Sequence, residues 1–287
     1  MDRPDGGHDL AFAWYFVDLS LDDGSRATVA LHAANGFALP RRASTIVWRY
    51  EEGSKPKLWT VAGGRPQLPA HSMYQGLRND VSEVRRVPEG WSVSIDAPNV
   101  RLELTIRQTV PVWRPSTLPF PLRCEEASGT FEWVIVCPHG IADGTLELDG
   151  TAHRVTGGAY IDTNYGTIDL AAELDWWKWS CIELHEGQRL IASSTKWRRH
   201  PLTHAAVHVG SQGVRTMALA EAQRELGIAL DALRFDAPVE PGGLRLSSEL
   251  PLARLGARID RYRRWSGEIG GRPAVLALLT TASPVPS

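Results

Sequence analysis

In the stretch Tyr160-Ile161-Asp162-Thr163-Asn164-Tyr165-Gly166, an acid sits two residues from a phenol on one side and two residues from an amide on the other. Side chains of a β-strand alternate between its faces, so a strand here carries Tyr160, Asp162 and Asn164 together and turns Tyr165 to the opposite face. Gly166 then ends or bends the strand. Further on, Trp177 and Trp179 share a face, and Trp176 and Lys178 share the other. A carboxyl group enclosed by aromatic rings loses the hydration that favours its ionised form, and full burial raises its pKa by as much as ~3–5 units. A carboxyl group that stays neutral near pH 7 can donate a proton or a hydrogen bond. The chemistry these residue types suit is acid catalysis on an apolar, unsaturated molecule, with Asp162 as the acid and Tyr160 and Asn164 beside it.

Other residues are weighed against blander roles. An Asp-x-Asn pair near a glycine also serves to stabilise a turn. Trp14, Trp48, Trp59, Trp91, Trp113 and Trp265 each suit a β-protein core, where large aromatics dominate packing. His71 and His139 lie in loop-like contexts and are second-rank acid or base candidates, with solvated histidines as the alternative. His204 and His208 are four apart in "THAAVHVG", a spacing that puts both on one face of a strand. A metal pair is the chemical alternative there to an ordinary hydrogen-bonded pair.

The elements that must position these groups read as strands. "AFAWYFVDLSLDDGSRATVALHA" alternates and breaks at Asp22-Asp23-Gly24, and "GWSVSIDAPNVRLELTIRQ" repeats the hairpin device at Ala97-Pro98-Asn99. "GTFEWVIVCPHGIADGTLELDGTAHRV" divides into short runs at Pro138, Asp143-Gly144 and Asp149-Gly150. "WWKWSCIELHEGQRLIASSTKWRR" turns at Glu186-Gly187, and "HAAVHVG" and "GLRLSSEL" follow as strands. "TMALAEAQREL" is the one helical stretch. Many short strands at regular spacing indicate an all-β protein, an antiparallel barrel or sandwich. The aromatic-strand and acidic-turn device occurs near Trp14 and again near Trp179, which predicts two domains of similar plan, residues 1–155 and 156–287, joined near Gly157-Gly158.

The whole-chain properties exclude several classes. With 31 Lys and Arg against 33 Asp and Glu, the net charge is −2, and no global field favours nucleic acid or an anionic membrane. The basic clusters "KWRRH" and "RYRRW" are short and read as solvated faces. Three widely spaced cysteines give neither a metal spacing nor a disulfide framework. No signal-peptide stretch opens the chain and no apolar run is long enough to span a bilayer, which predicts a cytoplasmic protein without integral membrane contact. No Gly-rich phosphate loop, nucleophile elbow or helical His pair occurs, and nothing calls for a cofactor or metal.

The central motif resembles the signature of the carotenoid 1,2-hydratase family, the hydroxyneurosporene synthases: Tyr-x-Asp-x-Asn-aromatic-Gly-Thr, a spacer, then Trp-x-Trp. It is matched by Tyr160, Asp162, Asn164, Tyr165, Gly166 and Thr167, then Trp177 and Trp179. Related calycin-type natural-product cyclases, among them decalin-forming Diels–Alderases, share the signature. "WYFVDLSLDDG" and "FEWVIVCPHGIADGTLELDG" are similar to the strands that precede it. Many relatives carry His where this chain has Thr163. The resemblance implies two lipocalin-like β-barrel domains, a small hydrophobic polyunsaturated substrate and no cofactor; either a monomer or a homodimer is expected.

Two reactions follow for such a site. In a hydration, Asp162 protonates a terminal alkene and water captures the tertiary cation, with Trp177, Trp179 or Trp197 stabilising the charge by up to ~2 kcal/mol each. In a cyclisation, the site folds a linear polyene of polyketide or isoprenoid origin. Hydrogen bonds from Asp162, Asn164 or Tyr160 then polarise a carbonyl, and preorganisation supplies ~7–11 kcal/mol of the barrier. The departure at Thr163 favours the cyclase. Tyr165, Trp14, Tyr15, Tyr74, Trp133 and Lys196 complete the candidate substrate wall. A non-catalytic binder of lipophilic ligands is the third reading, which the same barrel plan accommodates.

Overall fold

Along Val100–Gln108, buried Val, Leu, Leu and Ile alternate with exposed Arg, Glu, Thr and Arg, the pattern of a half-buried β-strand. The computed structural model is built mainly from such strands. It describes residues 10–34, 43–51, 54, 57–64, 74–113, 123–124, 129–211, 213–242, 244–250 and 259–281. The chain divides into two compact units, Met1–Ser116 with Leu122–Ile168, and Thr117–Pro121 with Asp169–Ser287. Among the described residues, no helix is long and apolar enough to cross a membrane.

The first unit is one antiparallel sheet. Its strands are β1 (Phe12–Leu21), β2 (Arg26–Ala34), β3 (Ser44–Tyr50), β4 (Lys57–Ala62), β5 (Gly76–Arg78), β6 (Ser82–Val87), β7 (Gly90–Ala97), β8 (Val100–Gln108), β9 (Arg123–Cys124), β10 (Gly129–Leu148) and β11 (Thr151–Gly166). They pair in the order β4-β3-β2-β1-β11-β10-β8-β7-β6-β5, with β9 on β10. The two ends of the sheet meet: Thr45 Oγ1 donates to Ser82 Oγ at 2.8 Å, and Asp80 N donates to Gly63 O at 3.0 Å. One face thereby closes on itself as a barrel core that includes Tyr15, Val17, Leu31, Trp91, Val93, Ile106 and Ile161. Across it the rings of Tyr15 and Trp91 lie 5.8 Å apart.

Hairpin turns fall where the sequence places them at Asp22–Gly24, closed by Ser25 N donating to Asp23 Oδ1 at 2.8 Å, and between β7 and β8. The breaks expected at Pro138 and Asp143-Gly144 do not occur. β10 runs through both, and Pro138 is absorbed by irregular pairing between Ile135 and Gly140, where a missing N–H costs no ladder bond. The joint expected near Gly157-Gly158 also lies inside a strand. Gly157 has φ +147°, and a Cβ there would stand 2.2 Å from Ser20 O, so its role is close strand approach. The division between the units falls after Ile168.

The second unit holds α1 (Leu170–Glu173), β12 (Leu174–Glu183), β13 (Arg189–Trp197), β14 (Thr203–Gly210), β15 (Gly213–Met217), α2 (Leu219–Leu226), β16 (Leu244–Leu250), β17 (Ile259–Ile269) and β18 (Arg272–Thr281). Its sheet order is β15-β14-β13-β12-β18-β17-β16. Trp176, Ile182, Leu190, Leu233, Phe235, Trp265 and Leu276 belong to its core. The predicted helix is α2, which ends at Gly227 in the left-handed conformation (φ +61°). The cluster "RYRRW" is not all solvated: Arg264 is fully buried, while Arg263 pairs with Glu249 at 2.9 Å.

Candidate active site

Residues directly opposite on neighbouring strands share a face of the sheet. Read across β3, β2, β1, β11 and β10, one such row is Ser44, His32, Trp14, Asn164 and Trp133. The next row is Ile46, Ala30, Phe16, Asp162 and Ile135, and the third begins Trp48, Thr28, Asp18 and Tyr160. Alternation puts all of these on the side of the sheet that turns away from the barrel core. That side is nonetheless shielded: the last eight residues of β11, Ala159–Gly166, are buried on both faces, and Asp162 is only 3% exposed.

Within this face Tyr160 Oη donates to Asp162 Oδ2 at 2.7 Å and Asn164 Nδ2 donates to Asp162 Oδ1 at 2.8 Å. Burial raises the Asp162 carboxyl to a pKa of about 7; the hydrogen bonds of Tyr160 and Asn164 and the nearby indole of Trp133 oppose the rise, and the charge of Asp18 adds to it. Asp18 in turn accepts a 2.8 Å hydrogen bond from Thr28 Oγ1. Asn164 Oδ1 is buried without a hydrogen-bond partner among the described residues. Aromatic rings pack around this polar centre. Phe12 lies 5.2 Å from Trp14 and 5.6 Å from Phe131, Trp113 lies edge-on to Trp133 at 5.5 Å, and Phe16 is 6.0 Å from Trp48. Among the described residues, no group of three or more His, Cys, Asp or Glu side chains is placed to hold a metal ion.

The structure therefore brings together Tyr160, Asp162, Asn164, Trp14 and Trp133. Tyr15, Tyr74 and Tyr165 belong to the opposite, core side of the sheet, where Tyr165 Oη donates to Tyr74 Oη at 3.0 Å and Glu132 Oε2 at 2.7 Å. Trp177, Trp179, Trp197 and Lys196 belong to the second unit. There Trp177 Nε1 donates to Ser193 Oγ at 2.7 Å and Lys196 Nζ to His200 O at 2.6 Å. Thr163 is fully buried on the core side and donates to Trp14 O at 3.1 Å, so a side chain at this position faces away from Asp162. Gly166 and Thr167 close the motif structurally. A Cβ at Gly166 would meet Thr130 O at 1.9 Å, and Thr167 Oγ1 accepts from Thr130 N at 2.9 Å. His139 Nδ1 is 2.6 Å from Thr109 Oγ1, and His71 lies outside the described residues. His204 Nδ1 is 2.6 Å from Ser194 Oγ, and His208 Nε2 is 3.1 Å from Gln188 Oε1.

Sequence reasoning missed His32, Phe16 and Asp18 as members of this face. The signal for two of them was present: Trp14, Phe16 and Asp18 alternate in "WYFVD". Only the β1–β11 register aligns that alternation with Asp162.

Two antiparallel β units make a lipocalin-like fold of the kind seen in several solved structures. Similar over nearly the whole chain are an AttH protein from Nitrosomonas europaea (15% identity, 94% of this chain and 93% of that one, TM-score 0.62) and kievitone hydratase from Nectria haematococca (13%, 95% and 89%, 0.57). CghA with Sch210972 is similar in the same way (12%, 95% and 89%, 0.64). No curated protein sequence matches significantly. The sequence profile described as "Carotenoid hydratase CrtC" matches residues 78–243, more than half of the chain; this protein belongs to the carotenoid hydratase CrtC family.

Proposed function

We propose that this protein is an acid-catalysed hydratase that adds water across an electron-rich carbon–carbon double bond of an apolar, polyunsaturated substrate. Asp162, neutral by virtue of its burial, transfers its proton to the less substituted alkene carbon. The π electrons form the new C–H bond, and positive charge develops on the more substituted carbon. A water molecule donates an oxygen lone pair to that carbon and returns a proton to the Asp162 carboxylate, so the step balances with water alone. Tyr160 and Asn164 donate to the carboxylate while it is ionised, and the rings of Trp14, Trp133 and Phe16 supply the π faces that favour the cation. A pKa of about 7 matches the acid to neutral conditions.

The observation that carries this reading is the state of Asn164. One of its N–H groups is engaged on Asp162, and its Oδ1, a buried acceptor, has no partner among the described residues. A water molecule beside the acid satisfies such an atom, whereas a substrate carbonyl cannot. The cyclase reading needs Asp162, Asn164 or Tyr160 to donate to a carbonyl, and Asp162 already takes the Tyr160 hydroxyl and one of the two Asn164 N–H groups. Family membership supports hydration as well.

The test is turnover of acyclic isoprenoid polyenes and prenylated phenols in oxygen-18 water. The expected product carries one labelled oxygen, and Asp162→Asn lowers its rate by roughly 10²–10⁴-fold while ligand binding persists. A product isomeric with its substrate, or an Asp162→Asn variant at wild-type rate, overturns the assignment.

A further inference from the structure

The face that carries Asp162 contains a second buried acceptor that the hydration step does not use. His32 lies on β2 in the same row as Trp14 and Asn164, and its ring rests 5.9 Å from the Trp14 ring. Its Nδ1 is buried and has no hydrogen-bond partner among the described residues. The Ser44 backbone opposite His32 on β3 favours a proton on the ring, and with that proton on Nε2 the lone pair lies on Nδ1. Burial holds the ring at a pKa of about 4, so it is neutral under physiological conditions, and in the Nε2-protonated tautomer its Nδ1 accepts.

A buried acceptor left unsatisfied is destabilising, and a bound donor relieves that cost. The position of this acceptor constrains the ligand. His32 is two strands across and two residues along from Asp162, which separates their Cα atoms by roughly 12 Å at ordinary strand spacings. A water molecule held beside the acid therefore does not reach it. A substrate group that reached it would be remote from the reacting double bond and on the far side of the Trp14 ring.

We propose that His32 anchors the substrate by accepting a hydrogen bond from a hydroxyl group, so that the preferred substrate is an alkenyl alcohol or phenol and not a pure hydrocarbon. This rests on the reading that the substrate lies against the Asp162 face, but not on the reaction being a hydration.

The experiment compares binding of geranylgeraniol with its analogue lacking the hydroxyl group, followed by tryptophan fluorescence, in the wild type, His32→Phe and His32→Gln. The wild type is expected to bind the alcohol about tenfold more tightly. His32→Phe removes that preference by weakening only the alcohol, and His32→Gln, which keeps an acceptor, restores part of it. A wild type that binds both probes equally or binds neither overturns the proposal without any variant having to fold. So does a His32→Phe variant that weakens both probes alike. Asp162→Asn should keep the preference for the alcohol, so failure of the catalytic assignment and failure of the anchor are read separately.

Discussion

At Asp162, loss of hydration outweighs the hydrogen bonds of Tyr160 and Asn164 and the nearby indole of Trp133, all of which favour the ionised form. Because the protonated form is the reactive one, turnover should fall about tenfold per pH unit above a midpoint near 7, measured as the pH dependence of kcat. Tyr160→Phe removes a donor to the carboxylate, so the descending limb should move to higher pH by roughly half a unit to one unit. A limb that stays put or moves down would show that Tyr160 does not bond the ionised acid. The same group sets a stability trend. Below pH 3.8 the carboxyl is protonated whether folded or not; between 3.8 and about 7 only the unfolded chain releases its proton. Stability should therefore fall by about 1.4 kcal/mol per pH unit across that window and level off above it. In Asp162→Asn this slope is missing, and denaturant unfolding of both proteins from pH 4 to 8 checks it. The trio Tyr160, Asp162 and Asn164 was legible because a period of two is a local property. His32 and Asp18 were not, because they reach this face only through the β1–β2 and β1–β11 ladders, whose register no local pattern specifies.

The element on which the site depends is β11, paired along its length with β10 and over its second half with β1. Close approach at Gly157 permits this. Gly157→Ala puts a Cβ against Ser20 O at a φ that L residues rarely adopt, so a loss of about 1–3 kcal/mol is expected in chemical denaturation. A variant as stable as the wild type would mean that the strands separate there without cost. The hairpins at Asp22–Gly24 and between β7 and β8 were readable from their turn residues, which act locally. Pro138 and Asp143-Gly144 use similar residues, yet β10 passes through them, because a proline or glycine at a bulge or close contact looks the same in sequence as one in a turn. The Gly157-Gly158 pair misled in the same way.

On the scale of the whole molecule, the regular spacing of short alternating strands indicated the β class but not the long contacts that hold irregular segments to their sheets. Lys178 is the clearest case. Alternation puts it on the face of Trp176, yet its partners lie 55 to 61 residues further along the chain. Its Nζ donates to the carbonyl oxygens of Leu233 at 3.2 Å, Arg234 at 2.7 Å, Ala237 at 2.7 Å and Val239 at 3.0 Å. The side chain is fully buried. Burial pulls its pKa down to about 8, the nearby charge of Asp236 opposing and that of Arg234 assisting. An ammonium has three N–H donors, so four acceptors share them and fix residues 233–239 over β12. Lys178→Met keeps the apolar stem but strands those carbonyl oxygens, each at about 1–3 kcal/mol where water cannot reach it. The second unit should lose several kcal/mol of stability, and amides of residues 230–239 should exchange hydrogen faster than in the wild type under native conditions. Lys178→Arg should not restore protection, since a planar fork cannot point at four oxygens around one atom. Unchanged protection of residues 230–239 in Lys178→Met would show that packing of Leu233 and Phe235 holds the segment without the cation.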